Sequence, residues 1–584
     1  MNDKNSTHVG RTLRSQWLIL LLLALVLLAF NFDALTVRIT EINYWDEANY
    51  IIRGRALTQG TLPEFSWSPL TTSFFALLYL PFASQGNWLP AVASIGRVII
   101  FLLSFLSLYL VAREVKLVPW PAAVFGVALV YPAMVSMLKF QSDALFAVLS
   151  GFALWQLLRY RNTLKEASIW YASSFLGLAA LTRNDGLILF GVFLLIVLIV
   201  IKNGGVPLKR KLTAGIAPFF GLLLGYLLIY AAVTGDFYLG TKQRTWVAFM
   251  QGQYFIYGDD HTCEGAQLAC ALEQAEELYG SAEENNYSVL SAIAGSPGAY
   301  AGRLFQMLKK LPGIAYRAYG GQTAFSLVLF GALGVIRLLR GRQKELLLIL
   351  GGWMLYLLVY LLTFYRPGYF YLPFVIFYVL GLLGVFELVE LFLKRKPRLI
   401  LTCLLVGITA VGLLAELGPV YLTGGLILAS LWIGWGLTAA LKLEGKPFAQ
   451  ALPLILLLAA GVFLHGGYDL ISFERSAPLA EEEAILTLFS DYPQDTLVAA
   501  GAPGAVVSAQ MSFVPLAGLD SDSPEALYHS MLSAGVEAIY VDHHLSNVRA
   551  QEWAMIEPQI GGWYSLVYAS ADGSILVLAV EPGP

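Results

Sequence analysis

The sequence predicts a polytopic α-helical membrane protein with about 13 transmembrane helices and a small α/β domain outside the membrane at the C-terminus. Two observations predict this class. Of the 584 residues, 57% are hydrophobic and only 13% are charged, whereas charged residues make up about a quarter of a typical soluble domain. Apolar runs long enough to cross a bilayer recur along most of the chain. The net charge of −3 gives no indication of a nucleic-acid partner.

The first apolar run, 17–35, follows a short basic N-terminus and is longer than the core of a signal peptide. No small-residue cleavage site follows it, so we predict an uncleaved first span. The stretch 70–83 is too short for a confident span and predicts a membrane-surface or re-entrant helix. Further spans are predicted near 91–112, 119–138, 141–158, 168–182, 186–201, 212–233, 321–339, 345–363, 369–393, 398–416, 419–441 and 450–470.

The lysines and arginines predict the orientation. With a cytoplasmic N-terminus, the inner loops are short and hold more than half of the 37 basic residues, which is the positive-inside pattern of a plasma-membrane protein. The loop 36–90, the insert 235–320 and the C-terminal tail then face outward. We expect a transmembrane domain over 1–470 and an extracytoplasmic α/β domain over 471–584, whose strand-like runs alternate with helical stretches near 478–490 and 524–534.

Cysteine and histidine usage limits the chemistry. Three cysteines are too few for a disulfide framework or a cysteine-based zinc site, and no HExxH, Walker or GxGxxG motif occurs in a suitable context. Cys263 and Cys270 lie in the outward insert, where a local disulfide and two free thiols both remain open.

Charged side chains lie at the predicted outer ends of several spans. Asp46 and Glu47 follow the first span, and Arg53 comes two helical turns later. An isolated Asp–Glu pair is more often part of a solvated loop. Carboxylates at a membrane boundary nevertheless need a partner, water or a function. Their interpretation therefore depends on the other outward turns.

Two of those turns carry further charges. Lys139 and Asp143 lie between the spans 119–138 and 141–158, and a simple helix cap would also account for Asp143. Arg183 and Asp185 lie in the next outward turn. A capping Asp in a tight turn explains Asp185 without a function, whereas Arg183 is harder to explain.

The last outward turn places Arg366 among tyrosines that include Tyr369 and Tyr371. Tyrosines at an interface can be simple membrane anchors. An arginine beside Pro367 and Gly368 at the start of a span is more typical of a phosphate-binding site, because guanidinium groups and helix N-termini both bind phosphate.

Acids and bases that converge on one membrane face fit a transferase with a lipid-linked phosphate sugar as donor. A carboxylate can take the proton of an incoming hydroxyl or amine. Arginine and lysine can stabilise the leaving phosphate as its charge grows. A transporter or lipid-linked-sugar flippase is the alternative, since it would also use charges within the membrane region. Against it, the charges cluster at one face, and no broken helices or repeated halves are apparent.

The run Tyr44-Trp-Asp-Glu-Ala-Asn-Tyr resembles the acidic signature of the GT-C glycosyltransferases, and in particular the protein O-mannosyltransferases and lipid A aminoarabinose transferases. In these proteins an Asp-Glu pair follows the first span, then an arginine-containing helix and a glycine turn, which resemble Asp46-Glu47, Arg53 and Gly60. Asp143 resembles the family's second acidic position. The run Arg366-Pro-Gly-Tyr-Phe-Tyr-Leu-Pro resembles its aromatic and basic segment before a late span.

The resemblance implies an inverting hexosyl or pentosyl transfer from a polyprenyl-phosphate sugar to a lipid, glycan or protein acceptor, at the outer face of the membrane. Asp46 would be the catalytic base or would position the acceptor, and Glu47 and Asp143 would orient acceptor or donor. Some relatives in this superfamily use a divalent metal, which stays open as the alternative. The sequence shows no His/Asp metal-ligand set, so we expect no cofactor and metal-independent transfer. The expected substrate-binding residues are Arg53, Lys139, Arg183, Arg366, Tyr369 and Tyr371.

Overall fold

The structure is a computed structural model that describes nine continuous stretches of the membrane region and much of the tail. The described residues are 17–29, 35–37, 45–83, 88–118, 141–200, 207–235, 241–257, 267–318 and 322–394, isolated positions within 119–140, and most of 485–582. The spans predicted in 398–470, the boundary predicted at 471, and Lys139 and Cys263 lie outside the described residues, as does much of the predicted span 119–138.

The described part of the membrane region is helical. Four helical segments are long and apolar enough to cross a membrane: Trp88–Glu114, Leu208–Thr234, Lys344–Leu362 and Gly368–Glu387. Three apolar helices are shorter: Trp17–Ala29, Pro69–Phe82 and Gly186–Ile199. A multi-pass membrane protein is thus confirmed, whereas these residues do not establish the predicted number of about 13 spans.

The helices are numbered in chain order. They are α1 Trp17–Ala29, α2 Trp45–Thr58, α3 Pro69–Tyr79, α4 Trp88–Glu114, α5 Gln141–Thr163, α6 Glu166–Thr182, α7 Gly186–Leu195, α8 Leu208–Thr234, α9 Thr241–Tyr257, α10 Gln267–Tyr279, α11 Val289–Gly295, α12 Pro297–Ala318, α13 Gln322–Arg340, α14 Lys344–Met354 and α15 Tyr371–Lys394. Two 3₁₀ segments, Leu355–Leu362 and Pro367–Phe370, lie between α14 and α15.

The helix α5 passes through the middle of the large apolar core, and most of its side chains are buried. It is about 34 Å long at 1.5 Å per residue, which is enough to cross the hydrocarbon layer. At its C-terminal end, Arg161 pairs with Glu345 of α14, with Nε 3.3 Å from Oε2. Asp143 lies at the other end, in the first turn. The candidate site and this ion pair are therefore at opposite ends of α5.

The tail forms a five-stranded mixed sheet, as the alternating pattern predicts. Its strands are β1 Leu497–Ala500, β2 Ser512–Pro515, β3 Val536–Val541, β4 Tyr564–Ala569 and β5 Leu576–Val580, in the order β2-β1-β3-β5-β4. The strand β1 is parallel to β2 and β3, and β5 is antiparallel to β3 and β4. Three short helices, Gly504–Ser508 (α16), Pro524–Ala534 (α17) and Ala550–Ile556 (α18), connect the strands.

The helix α17 coincides with the predicted helix 524–534 because both of its ends are encoded locally. The Ser523 side chain accepts a hydrogen bond from the Ala526 N–H, and Pro524 occupies the first helical position. Gly535 ends the helix with φ +75°, in the left-handed region that glycine adopts without strain.

The tail contacts the membrane region through its first strands. Val507 of α16 and Phe513 of β2 pack in one apolar cluster with Tyr50 of α2 and Trp88 of α4. The tail therefore lies against the segment that begins with Asp46 and Glu47.

Candidate functional site

The candidate site is built around the N-terminal end of α5, where Asp143 lies in the first turn and is 2% exposed. Its Oδ1 forms an ion pair with Nη1 of Arg183. Nη2 of Arg366 lies 3.2 Å from Oδ2 and 3.4 Å from Oδ1. The two arginines come from segments 40 and 223 residues away along the chain. Three residues predicted from separate outward turns thus converge on one buried carboxylate.

Gly368 allows the Arg366 segment to come this close. A Cβ added at Gly368 would overlap Oδ2 of Asp143, so any other residue there would push the carboxylate away from Arg366. Arg366 itself is in an extended conformation immediately before the 3₁₀ segment Pro367–Phe370. The Pro-Gly pair noted in the sequence therefore shapes the approach of this arginine to Asp143.

Arg183 is held from its other side by Asp185. Oδ2 of Asp185 accepts hydrogen bonds from Nε and Nη2 of Arg183, at 2.9 and 2.7 Å. Its side chain makes no capping bond to α7, so interpreting Asp185 as a simple helix cap is wrong. Burial opposes the charge on Arg183, but Asp143 and then Asp185 raise its pKa well above the ordinary arginine value. Arg183 therefore remains a cation between two carboxylates.

Two tyrosines complete this network. The Tyr360 hydroxyl donates to Oδ2 of Asp185 at 2.8 Å and forms a second hydrogen bond with the hydroxyl of Tyr356. The Tyr360 ring stacks on Tyr369, with centroids 3.8 Å apart and planes inclined by 12°. Sequence reasoning missed Tyr356 and Tyr360, because both lie in an apolar run that predicts only a span.

Tyr369 is close to both arginines. The guanidinium carbons of Arg183 and Arg366 are 5.2 and 4.9 Å from its ring centroid, within cation–π range. The predicted site residue Tyr369 therefore contacts both cations. Tyr371, also predicted for the site, is buried in the large apolar core of the membrane region.

Glu47 attaches α2 to the same point. Both oxygens of its buried carboxylate accept the Gln141 backbone N–H, at 3.1 and 3.2 Å. Gln141 is the first residue of α5, and its side-chain Nε2 donates to the Ala93 carbonyl oxygen of α4 at 3.2 Å. A carboxylate at a helix N-terminus satisfies an N–H that lacks a helical acceptor and interacts favourably with the helix dipole. Glu47 thus fixes α2 next to Asp143.

Asp46 lies beside Glu47 in the first turn of α2, but its side chain is outside the described residues. Arg53, two turns further along α2, has its guanidinium 4.2 Å from the ring centroid of Trp67. Burial lowers the pKa of Arg53, and Glu64 partly opposes that shift. Cys270 lies in α10, and its side chain is outside the described residues as well.

The two acids and two arginines of the site balance in charge, and their exposure differs. The Arg366 side chain is the most exposed of the four at 25%. Its guanidinium is therefore the cation of this cluster that is most accessible to an anion from outside. Among the described residues, no group of three His, Cys, Asp or Glu side chains could hold a metal ion.

Two solved structures share this fold. ArnT from Cupriavidus metallidurans in the apo state is 14% identical to this chain. The match covers 97% of this chain and 98% of the ArnT chain, with a TM-score of 0.51. AglB, the oligosaccharyltransferase of Archaeoglobus fulgidus, was solved with an inhibitory peptide and a dolichol-phosphate. AglB is 13% identical to this chain. The match covers 96% of this chain and 74% of the AglB chain, with a TM-score of 0.50. No protein-family model and no curated protein matches the sequence. The chain therefore has the fold of these two proteins, which agrees with the resemblance that the sequence motifs predicted.

Proposed function

We propose that this protein is an integral-membrane, inverting glycosyltransferase. It moves a sugar from a polyprenyl-phosphate donor to a lipid, glycan or protein acceptor at the outer face of the membrane. The observation that carries the proposal is the buried Asp143 held between Arg183 and Arg366. A pair of arginines, of which Arg366 is partly exposed, suits a phosphate whose charge grows as the sugar leaves.

The shared fold supports a donor of this class. AglB was solved with a dolichol-phosphate, which is a polyprenyl-type phosphate. The Arg161–Glu345 pair lies at the opposite end of α5 from the site, in a segment that the positive-inside pattern assigns to the cytoplasm. That separation supports action at the outer face.

In the proposed reaction, the acceptor oxygen or nitrogen forms a bond with the anomeric carbon of the sugar. The bond between that carbon and the phosphate oxygen breaks, and its electron pair remains on the departing polyprenyl phosphate. Arg366 binds that phosphate directly, and the positive charge of Arg183 further stabilises the phosphate from deeper in the site. The acceptor's proton passes to a carboxylate, for which we propose Asp46.

The three predicted catalytic carboxylates then have different roles. Both Asp143 oxygens face arginines, and both Glu47 oxygens face a backbone N–H. These contacts suit positioning: Asp143 orients the arginines, and Glu47 orients α2. Asp46 is proposed as the base because α2 brings it to the same end of α5. Lys139, which precedes α5 by two residues in the sequence, is proposed as a further phosphate contact.

We also propose that the guanidinium groups supply the charge stabilisation, so that transfer needs no divalent metal. Transfer should then persist in excess EDTA. A loss of transfer that Mg²⁺ or Mn²⁺ restores would contradict this part of the proposal.

The decisive experiment incubates purified protein with a panel of polyprenyl-phosphate sugars and a crude envelope extract as acceptor source. Mass spectrometry follows donor consumption and product formation. We expect one donor class to be consumed with release of polyprenyl phosphate. Movement of a lipid-linked sugar across liposomes without consumption of any donor would instead support a flippase.

A further inference from the structure

The outward insert contains a buried arginine that contacts the segment leading to Arg366. Arg303 lies on α12 and is 1% exposed. Its Nη2 donates to the Thr363 carbonyl oxygen at 2.5 Å and to the Phe249 carbonyl oxygen of α9 at 2.7 Å. One guanidinium nitrogen thus joins two insert helices to a point three residues before Arg366.

Two aromatic rings and a glycine surround the Arg303 guanidinium. The guanidinium carbon lies 4.4 Å from the ring centroid of Phe249 and 5.8 Å from that of Tyr279. A Cβ added at Gly252 would overlap Nη2 of Arg303 and would lie 2.8 Å from the Thr363 carbonyl oxygen. Replacing Gly252 would therefore displace either the guanidinium or the Thr363 backbone.

A second contact from α12 reaches the same segment. The Tyr300 hydroxyl donates to the Leu361 carbonyl oxygen at 2.6 Å. Leu361 and Thr363 lie at the end of the 3₁₀ segment Leu355–Leu362, where the helical hydrogen-bond pattern stops. Their carbonyl oxygens need hydrogen-bond donors from elsewhere. The helix α12 provides these donors, the guanidinium of Arg303 and the hydroxyl of Tyr300.

We propose that Arg303 is a positioning residue for Arg366, so that the insert sets the geometry of the phosphate-binding arginine. This inference rests on the proposed function. Burying a cation is costly unless its hydrogen bonds are made, and an apolar side chain would pack the same space without that cost. The arginine can donate a directional hydrogen bond to the Thr363 carbonyl oxygen, which an apolar residue cannot do. Arg303 fixes where the backbone turns toward Arg366 and thereby toward Asp143.

The test is a double-mutant cycle on purified full-length protein, with binding of a polyprenyl phosphate as the measurement. We expect Arg303→Met to weaken this binding about tenfold, as for loss of a hydrogen bond from a charged group. In the Arg366→Ala background the same substitution should change binding by less than about twofold, because the residue through which it acts is gone. Arg303→Lys, which keeps the charge but not the planar guanidinium, should restore part of the affinity. KM for the acceptor should be unaffected.

The exposed Lys309→Ala on the same helix is the matched control and should bind like the wild type. If Arg303→Met does not fold, Gly252→Ala tests the same contact by adding one methyl group, and the same loss is expected. Equal losses from the Arg303 substitution in both backgrounds, or unchanged binding by a folded variant, would overturn the inference.

Hydrogen exchange separates failure of this inference from failure of the proposed function. Arg303→Met should accelerate amide exchange in the peptide containing residues 363–369 and leave residues 141–163 unchanged. If wild-type protein binds no polyprenyl phosphate, the proposed function fails, and the assignment of Arg303 to phosphate binding fails with it. If the wild type binds and exchange at 363–369 does not change, only the positioning role is refuted.

Discussion

Both carboxylate oxygens of Glu47 accept the backbone N–H of Gln141, across 94 residues of sequence. This contact joins α2 to the N-terminus of α5, two residues before Asp143. The acidic pair of the first loop and the acidic residue of the second are therefore parts of one structure. Any proposed role for Asp46 depends on this contact, because Glu47 fixes the turn on which Asp46 lies.

Replacing Asp46 by Asn should abolish sugar transfer while insertion and folding remain normal. The amide has nearly the same shape but cannot accept the acceptor's proton, and loss of a general base costs about 10²–10⁴ in rate. The measurement is product formation from the donor identified in the panel, with size-exclusion chromatography as the folding check. Glu276→Gln, an exposed carboxylate of the insert, is the control. Near-wild-type transfer by Asp46→Asn would refute the base assignment.

Replacing Arg366 by Ala should weaken donor binding far more than acceptor binding. The loss of a charge-assisted contact to phosphate is expected to cost about tenfold or more in donor affinity. Separate titrations with polyprenyl phosphate and with acceptor would measure the difference. Arg161→Ala at the opposite end of α5 removes an arginine of similar exposure and should leave donor affinity unchanged. Equal effects of Arg366→Ala on both ligands would argue against a phosphate role.

Gly368→Ala should reduce transfer strongly although it adds only one methyl group. The new Cβ would overlap Oδ2 of Asp143, so the carboxylate and Arg366 would have to separate. Gly191→Ala is a matched control because a Cβ there meets no atom within 4 Å. Donor affinity and turnover of the two variants should be compared at equal folded concentration. Full activity of Gly368→Ala would show that the Asp143–Arg366 contact is not needed.

Tyr360→Phe should weaken donor binding moderately, whereas Tyr360→Leu should weaken it further. The phenylalanine keeps the ring stacked on Tyr369 but removes the hydroxyl that donates to Asp185. Loss of a hydrogen bond to a charged group corresponds to about 1.5–3 kcal/mol. Leucine would also remove the aromatic support between the two arginines. If both variants bind donor like the wild type, the tyrosines serve only to pack the core.

The predictions from local patterns agree with the structure where local interactions decide the outcome. The helix 524–534 was predicted from its sequence pattern, and Ser523, Pro524 and Gly535 show why its ends are fixed locally. Arg183 and Arg366 were identified because a charged side chain at the end of an apolar run is conspicuous in any sequence.

Predictions were less complete for side chains whose role depends on contacts with residues that folding brings together. Asp185 was interpreted as a turn residue, because its sequence neighbourhood suits a cap and its partners Arg183 and Tyr360 are only brought together by folding. Tyr360 gave no signal, because a tyrosine in an apolar run is ordinary. Asp46 and Lys139 remain predictions from the sequence.

The sequence by itself determined that the chain is a membrane protein and that the turns between its apolar runs carry acids, arginines and tyrosines, because hydropathy and charge are properties of the residues alone. Only the tertiary structure decided which charges meet. Asp143 binds arginines from two distant turns, and Glu47 binds the N-terminus of α5. These pairings follow from how the helices pack, since a charge moved from water into a membrane protein is stable only beside a partner that another segment supplies.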